Sequence, residues 1–452
     1  MLGVSGEAGY QHVDDPSNAE VIVVNTCGFV EAAKQESIET ILALSDMKQN
    51  GACKKLVVTG CLSQRYPEEL NKGLPEVDHF LGSSDMLVLG KVLTQNKVPK
   101  MLVGNPADHL ARASDPRVLS LHRHYAYLKI AEGCSRKCSF CAIPSFRGTQ
   151  RSRPIDDVVA EAKQLAAQGV VELNVISQDT ISYGKDLGDK GQRPTLVQLA
   201  HALSDVEGIE WVRLFYLYPE AFSQELIDLL GAGGKVVPYV DMPMQHATDR
   251  MLKLMRRGYN EKKQRELIER LRAVPGLCIR SAFIVGHPGE TDQDFEQLCD
   301  FVRRSELDHV GVFRYSHEDG THSGTMEDLV APELIEERAN ELMAIQQKIS
   351  KKRLKARIGD EITVLVEGES DESELLLQGR HAGQAPEVDG VVILTNGTAD
   401  TGELRRAKIT HATEYDLVAK LLGESKAKSA KAPAKKAAKT STVRSARLPI
   451  IR

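Results

Sequence analysis

The sequence lacks long apolar runs and has few aromatic residues. No stretch approaches the roughly 18 consecutive apolar residues that a transmembrane helix needs. The first residues, MLGVSGEAGYQHVDD, lack the basic-then-apolar order of a signal peptide. Aromatic residues make up 5% of the chain, which neither supports nor excludes a function. These absences predict a cytoplasmic protein without membrane contact, whose eight cysteines serve as metal ligands or buried thiols before disulfides.

Acidic residues are missing from the end of the chain. Residues 425–452 contain nine Lys and Arg and no Asp or Glu, although the whole chain has a net charge of −5. This Lys/Ala/Ser-rich segment cannot bury a core. We therefore predict a disordered basic tail over 423–452, which acts either as a solvated appendage or as an RNA contact.

The first 105 residues alternate strand and helix patterns and predict one α/β domain. VIVVN (21–25) and KLVVTG (55–60) are apolar runs typical of buried strands, with a helical stretch over 32–46 between them. Such a pattern favours an open, doubly wound parallel sheet. Cys27 and Cys61 follow the two strands, at the edge where open α/β sheets bind ligands.

The region 124–357 repeats a strand–helix unit six times, after a polar linker over 106–123. The predicted strands are 125–130, 171–177, 211–217, 239–245, 278–286 and 309–316. Six units predict an open partial (β/α)6 barrel, and a helix over 332–356 ends it. Residues 358–422 then contain short alternating strands (361–369, 374–381, 390–396 and 404–412), which predict a small antiparallel β-barrel.

Three cysteines with close spacing carry the chemistry: Cys134, Cys138 and Cys141. Thiolates are the usual ligands of iron–sulfur clusters. A four-iron cluster held by three cysteines keeps one iron free, and that iron can chelate the amino and carboxylate groups of S-adenosylmethionine (SAM). The alternative is a zinc site or three structural cysteines, but structural zinc takes four protein ligands and no fourth cysteine lies nearby.

AEGCSRKCSFCAIPSFRGTQRSR (131–153) resembles the signature of the radical SAM methylthiotransferases. The resemblance continues in SQDTISYG (177–184), DMPMQHATDRMLKLMRRGY (241–259) and FIVGHPGET (283–291), and the last barrel resembles a TRAM domain. IPSFRG (143–148), QHA (245–247), GRHAGQAPEVDG (379–390) and ATEYDLVA (412–419) resemble the RimO-type branch, which methylthiolates an aspartate of ribosomal protein S-twelve. The MiaB-type branch, which acts on isopentenylated adenosine in tRNA, typically reads VPYTRG and QSGS instead.

The resemblance implies a transferase with two 4Fe–4S clusters. The Cys134/Cys138/Cys141 cluster would reduce SAM to a deoxyadenosyl radical, which removes hydrogen from the β-carbon of the aspartate. A second cluster, with Cys27 and Cys61 among its ligands, would carry the sulfur. The resemblance also implies SAM contacts at Phe140, Gln178, Asp179, Gln245, Ile284, Gly286 and Glu290.

Several of these positions have plainer interpretations. Strand-end solvation or a helix-start partner explains Gln245 and Glu290 equally well. His246 and His287 fit hydrogen-bonded structural roles better than iron ligation. The pair Arg256 and Arg257 fits a solvated helix face, with contact to an acidic substrate as the alternative.

One departure concerns the second cluster. The family has a strand and a first cluster cysteine ahead of the region matched by Met1-Leu-Gly-Val, so we expect that the sequence starts late and lacks one of three ligands. A neighbouring strand left unpaired exposes its edge. The alternative is that Cys53 supplies the third ligand, although it precedes its strand instead of following it.

The expected partners are ribosomal protein S-twelve or the small ribosomal subunit, and an electron donor such as flavodoxin or ferredoxin. The TRAM domain and the basic tail are candidate RNA contacts. Two other functions stay open: tRNA methylthiolation of the MiaB type, and a catalytically impaired homologue that binds the ribosome.

Overall fold

The computed structural model describes residues 1–120 and 122–423. The predicted basic tail lies outside the described residues from residue 424 onward. Within the described residues, no helix is both long enough and apolar enough to cross a membrane.

The N-terminal region folds around a parallel four-stranded sheet. Its strands are β1 (Val21–Thr26), β2 (Lys55–Gly60), β3 (His79–Leu81) and β4 (Met101–Leu102), in that order across the sheet. Its helices are α1 (Leu2–Glu7), α2 (Glu31–Ser45), α3 (Met47–Asn50), α4 (Cys61–Arg65), α5 (Pro67–Gly73) and α6 (Leu89–Thr94). Leu56 and Val58 pack on one face and Val57 on the other, which explains the continuous apolar run. Sequence patterns missed β3 and β4 because runs of two or three residues are too short to show a period.

The middle region contains six parallel strands and a small hairpin. The parallel strands are β5 (Tyr125–Lys129), β8 (Glu172–Ile176), β9 (Trp211–Leu214), β10 (Tyr239–Asp241), β11 (Cys278–Val285) and β12 (His309–Arg314), and the hairpin strands are β6 (Ala131–Glu132) and β7 (Arg151–Ser152). They form two parallel sheets, β5-β8-β9 and β10-β11-β12. The amide of Leu217 donates to the Asp241 carbonyl at 2.8 Å and joins the two sheets into the predicted open barrel.

Among the described residues, eight helices accompany these strands. They are α7 (Ile143–Arg147), α8 (Ile155–Ala167), α9 (Leu196–Ser204), α10 (Gln224–Gly231), α11 (Asp249–Leu254), α12 (Glu261–Arg272), α13 (Asp292–Ser305) and α14 (Pro332–Lys355). Of these, α7 follows the Cys141 segment and packs on the N-terminal region. All six parallel strands are shorter than predicted, and β9 and β10 differ most from the prediction. After β9 and β10, Tyr216 (φ 56°) and Gln245 (φ 72°) adopt the left-handed conformation, which ends an extended strand. Pro243 adds to this after β10 because it has no amide proton to donate.

The last region is a closed five-stranded barrel. Its strands are β13 (Glu361–Ser370), β14 (Ser373–His381), β15 (Val392–Leu394), β16 (Leu404–Ala412) and β17 (Leu417–Leu421), in the order β13-β14-β15-β17-β16. All neighbouring pairs are antiparallel except β15 and β17, which run parallel where the barrel closes. The sequence predicted four of these strands and missed β17.

The small barrel packs against the N-terminal ends of the large barrel's strands. Arg380 donates to the Glu172 carboxylate at 2.6 Å, at the first residue of β8. The Tyr239 hydroxyl, at the first residue of β10, donates to the Asp389 carboxylate at 2.7 Å. The opposite, carboxyl ends of the strands are therefore the place for a ligand site.

Candidate active site

Three cysteines lie on one loop at the carboxyl end of β5, between β6 and α7. Cys134 is buried, and Cys138 and Cys141 are half-buried. Gly133 has a φ of +82°, and a Cβ placed there would lie 2.3 Å from the Thr149 carbonyl oxygen. Only glycine therefore lets the chain enter this loop beside the returning strand.

The thiols of this loop need a positive partner to ionise. Burial raises the pKa of Cys134 to about 11 and that of Cys141 to about 12, because a thiolate loses its hydration there. An Arg257 guanidinium nitrogen lies 3.4 Å from Cys138 Sγ and donates to it. Arg257 can therefore stabilise a thiolate at Cys138. The thiolates of Cys134 and Cys141 would need the positive charge of a metal centre.

The donor set fits an iron–sulfur cluster. In the described part of the chain, no three His, Cys, Asp or Glu side chains converge on a single metal ion. A cluster does not require that convergence, since its cysteines bind different irons of one cubane. A single zinc ion would require it.

Arg257 corrects the prediction of a solvated helix face. α11 ends at Leu254, and Arg256 turns the chain with a left-handed φ of 53°. Arg256 is exposed, whereas Arg257 is buried and lies 4.0 Å from the centre of the Tyr218 ring. Arg136 of the cysteine loop lies 3.8 Å from the same ring, so two guanidinium groups stack on one tyrosine beside the loop.

Two predicted SAM contacts follow β8 and have buried oxygens without a partner. Gln178 donates from Nε2 to the Glu132 carboxylate at 3.2 Å, and its Oε1 has no partner among the described residues. Asp179 accepts a bond from Arg136 Nε at 2.7 Å, while its Oδ1 likewise has none. A buried oxygen without a partner costs about 1–3 kcal/mol. Both atoms are thus suited to a ligand that donates hydrogen bonds.

Further predicted contacts lie at the carboxyl ends of β10 and β11. The Gln245 amide donates to the Ala282 carbonyl and its carbonyl accepts from the Ile284 amide, both at 2.8 Å. These bonds hold Gln245 in its left-handed conformation. Gly286 follows β11 with a φ of +76°, and Phe140 is half-buried on the cysteine loop.

The Glu290 carboxylate bonds to groups of the protein itself. Oε1 lies 3.2 Å from His246 Nε2, and Oε2 accepts from Arg338 at 2.9 Å and from the Gly286 amide. Both oxygens are occupied, so the structure places Glu290 behind the turn that follows β11. His246 also accepts a bond from the Thr248 amide, which confirms its structural role.

His287 is a hydrogen-bonded residue of the interior, as predicted. Its Nδ1 lies 2.9 Å from the Pro288 carbonyl oxygen and its Nε2 lies 2.7 Å from Ser323 Oγ. Burial lowers the pKa of His287 to about 4, so the ring is neutral at pH 7.

Cys27 and Cys61 lie together at the edge of the N-terminal sheet. A Cβ on Gly28 would be 2.8 Å from the Cys61 carbonyl carbon, so the two cysteine segments touch. Cys27 is exposed, and burial of part of its thiol raises its pKa. Cys61 is buried in one apolar cluster with Phe146 of α7 and with Ala142, the residue after Cys141. The fold therefore brings the two sets of cysteines, distant in sequence, to one place.

Cys53 does not belong to this edge. It is buried in the core of the N-terminal sheet, and its thiol bonds to the Lys55 carbonyl. It precedes β2, whose six residues span roughly 20 Å, whereas Cys61 follows it. The alternative that Cys53 completes the second cluster is wrong.

Sequence reasoning missed two charged residues between the two sets of cysteines. Arg147 donates to Cys61 Sγ at 2.7 Å and to the Glu132 carboxylate at 2.9 Å. Glu132 also accepts from Lys129 at 2.6 Å and from Gln178 at 3.2 Å. The only sequence signal was that both residues lie in the motif over 131–153.

Three family descriptions match the chain. Residues 1–82 match the uncharacterized protein family UPF0004, residues 128–302 match the radical SAM superfamily, and residues 358–422 match the TRAM domain. The matches follow the three structural regions in order.

Curated relatives cover almost the whole chain. The ribosomal protein uS12 methylthiotransferase RimO of Sorangium cellulosum is 57% identical over 428 residues, which cover 94% of this chain and 88% of the relative. The protein of the same name from Anaeromyxobacter sp. (strain K) is 48% identical over 435 residues, covering 95% of this chain and 91% of the relative.

A solved structure shows the same fold. The radical S-adenosylmethionine methyltransferase TsrM of Kitasatospora setae, with cobalamin and a 4Fe–4S cluster bound, aligns with a TM-score of 0.51. It is 17% identical, and the alignment covers 71% of this chain and 68% of that one, so it bears on the fold alone. With the family matches and the near full-length relatives, the cysteine geometry leads to one conclusion: this chain belongs to the RimO family of radical SAM methylthiotransferases.

Proposed function

We propose that this enzyme inserts a methylthio group at the β-carbon of an aspartate in ribosomal protein uS12, the S-twelve protein of the small subunit. The observation that carries the proposal is the apolar cluster that joins Cys61 to Ala142 and Phe146, which follow Cys141 of the radical SAM loop. This packing supports the proposal, because sulfur transfer to a carbon radical needs a second thiol site beside the radical SAM site. The substrate follows from the names of the relatives.

The three loop cysteines would hold a 4Fe–4S cluster, with one iron left for SAM. When bound, the cluster and SAM supply the radical that removes hydrogen from the substrate carbon. Arg257 donates to Cys138 Sγ and so stabilises negative charge on the sulfur. The unpaired oxygens of Gln178 and Asp179 are suited to orient the amino and hydroxyl groups of SAM.

The remaining proposed SAM contacts come from one aromatic ring and from the backbone at strand ends. The ring is that of Phe140, and the backbone contacts would come from Gln245, Ile284 and Gly286. Glu290 would support them indirectly, because its carboxylate fixes the Gly286 amide.

Cys27 and Cys61 would supply two ligands of a second cluster, the one that carries the sulfur. A third ligand would complete that cluster. Arg147, bonded to Cys61 Sγ, would favour a negatively charged sulfur at this place.

The partners follow from the same chemistry. The radical reaction consumes an electron, which a flavodoxin or ferredoxin would deliver in the cytoplasm. The TRAM barrel would contact RNA: Lys408 and Lys420 are exposed, directly opposite each other on β16 and β17, and like charges so placed favour an anionic partner. The tail would add to this contact.

The test is an anaerobic assay of the iron-loaded full chain with SAM and a reductant. Purified uS12 and unmodified tRNA are offered separately, and deoxyadenosine formation and the mass of each substrate are measured. We expect a methylthio mass increase on one aspartate of uS12. Turnover on tRNA alone would reject the ribosomal substrate and support the MiaB-type alternative.

Two alanine variants separate the cluster from the fold. Cys138→Ala should lose bound iron and SAM cleavage together. Cys299→Ala is the matched control, since Cys299 is a buried cysteine of α13 in the apolar core of the barrel. A wild-type chain that binds iron yet never cleaves SAM with either substrate would instead support an impaired ribosome-binding homologue.

A further inference from the structure

One loop touches both the N-terminal domain and the loop of the radical SAM cysteines. We call residues 315–323, which follow β12, the bridging loop. None of its residues belongs to the sites predicted from the sequence. Its contacts reach α2 and α4 on one side and the cysteine loop on the other.

The centre of the bridging loop is Glu318, whose side chain is 3% exposed. Its carboxylate accepts bonds from Lys34 of α2 at 3.2 Å, from Arg65 of α4 at 2.5 Å and from Ser316 at 2.8 Å. The side chains of Lys34 and Arg65 are 9% and 6% exposed, so all three charges are withdrawn from water. Removing the carboxylate takes the acidic partner from buried Arg65, while Lys34 keeps the exposed Glu31 carboxylate of its own helix at 2.7 Å. The loss is unfavourable chiefly because the Arg65 charge stays withdrawn from water.

Arg65 links this carboxylate to both cysteines of the N-terminal domain. It ends α4, the helix that begins at Cys61. The nitrogen that contacts Glu318 also donates to the Gly28 carbonyl at 2.9 Å, in the residue after Cys27. One guanidinium therefore joins both cysteine segments to the bridging loop.

The far end of the bridging loop is bonded to the radical SAM loop. The Ser323 amide donates to the Ser139 carbonyl at 2.8 Å, and the two serine hydroxyls are 2.8 Å apart. Ser139 directly follows Cys138. A short segment thus fixes the N-terminal cysteines relative to the loop of Cys138 and Cys141.

We propose that Glu318 is a positioning residue, which holds the thiols of Cys27 and Cys61 against the radical SAM loop. The carboxylate pairs with Arg65, and adds to the Glu31 partner of Lys34, only while the N-terminal domain is docked, so its charge opposes separation of the two sites. An ordinary surface ion pair between domains would not do this, because water replaces its partners at little cost. The consequence for sulfur transfer rests on the proposed function, whereas the docking role does not.

The test measures alkylation of individual thiols in the full chain before iron is loaded. Cys61 is buried at the docked interface and should react slowly with iodoacetamide in the wild type, and Cys27 should react fast. In Glu318→Gln we expect the Cys61 rate to rise about tenfold, while Cys299 in the barrel core stays protected. Glu414→Gln, which removes an exposed carboxylate paired with Lys351, is the matched control and should leave every rate unchanged.

A Cys61 rate within twofold of wild type in Glu318→Gln would overturn the proposal. If Cys299 also becomes reactive, the Glu318→Gln variant has lost its fold. In that case Arg65→Lys takes its place, and the Cys61 and Cys299 rates are judged in the same way. In iron-loaded enzyme, the methylthiolated product formed per deoxyadenosine should also fall severalfold. An altered Cys61 rate without any methylthiolation would sustain the docking role and reject the proposed function.

Discussion

Replacing Arg380 by Met should separate the TRAM barrel from the radical SAM barrel. Arg380 crosses their interface and bonds to two carboxylates, Glu172 at 2.6 Å and Glu367 at 2.7 Å. Glu172 is fully buried. Burial alone would raise its pKa, but the charges of Arg380 and Arg213 hold that pKa below its ordinary value. The folded protein therefore depends on an ionised carboxylate whose charge Arg380 and Arg213 compensate.

The size of the effect follows from what remains after the substitution. Met fills much of the volume of the arginine stem, so the loss is electrostatic. Glu172 keeps the Arg213 bond at 2.8 Å but loses half of its positive partners inside the protein. Breaking a buried ion pair on one side costs about 3–5 kcal/mol. For a region of the size of 124–357, each kcal/mol of lost stability lowers Tm by about 2–4 °C. We therefore expect the Tm of the variant to lie roughly 6–20 °C below that of the wild type.

The measurement is thermal unfolding of the full chain, followed by circular dichroism, at pH 7. Arg406→Met is the matched control, because Arg406 lies on the same barrel and pairs with Glu361 at the surface, with 70% of its side chain exposed. That control should shift Tm by less than about 2 °C. An Arg380→Met variant that melts together with wild type would refute the view that this network holds the two barrels together.

Two further predictions concern the site. Arg257→Met should make the reduction potential of the cluster more negative by roughly tens of millivolts, since a hydrogen bond and a positive charge beside a cluster sulfur are lost; a redox titration followed by electron paramagnetic resonance checks this, and Arg256→Met, at an exposed position, should match wild type. His287 has a folded pKa of about 4, below its ordinary 6.5, so unfolding takes up a proton and stability falls as pH drops from 6.5 toward 4. His287→Gln should remove up to about 2 kcal/mol of the stability lost between pH 7 and pH 5 in denaturant titrations; an unchanged pH dependence would contradict this reasoning.

The sequence alone was sufficient for the features that local patterns encode. Apolar runs predicted β1 and β2, and the repeated strand–helix units predicted the open barrel, because burial on both faces leaves a continuous apolar segment. Cysteine spacing within eight residues predicted the loop of Cys134, Cys138 and Cys141. Cys27 and Cys61 were placed on one sheet edge because both follow parallel strands.

Local patterns failed where a distant contact decides the conformation. β17 is a strand because it closes a barrel with β15, from which a loop and β16 separate it. The sequence predicts a surface position for Arg257, but the left-handed turn at Arg256 directs its side chain to Cys138. For Glu290, the sequence left a ligand contact and a structural role open, and the fold surrounds its carboxylate with His246 and Arg338.

The sequence by itself determined which chemistry the chain carries: three thiols on one loop, a strand-end pair of cysteines and the three regions that hold them. Only the tertiary structure decided how the two sets of thiols meet. Arg65 and Glu318 are 253 residues apart, and neither belongs to a motif. A buried ion pair of that kind leaves no period or spacing in the sequence, because its partners become neighbours only when the domains dock.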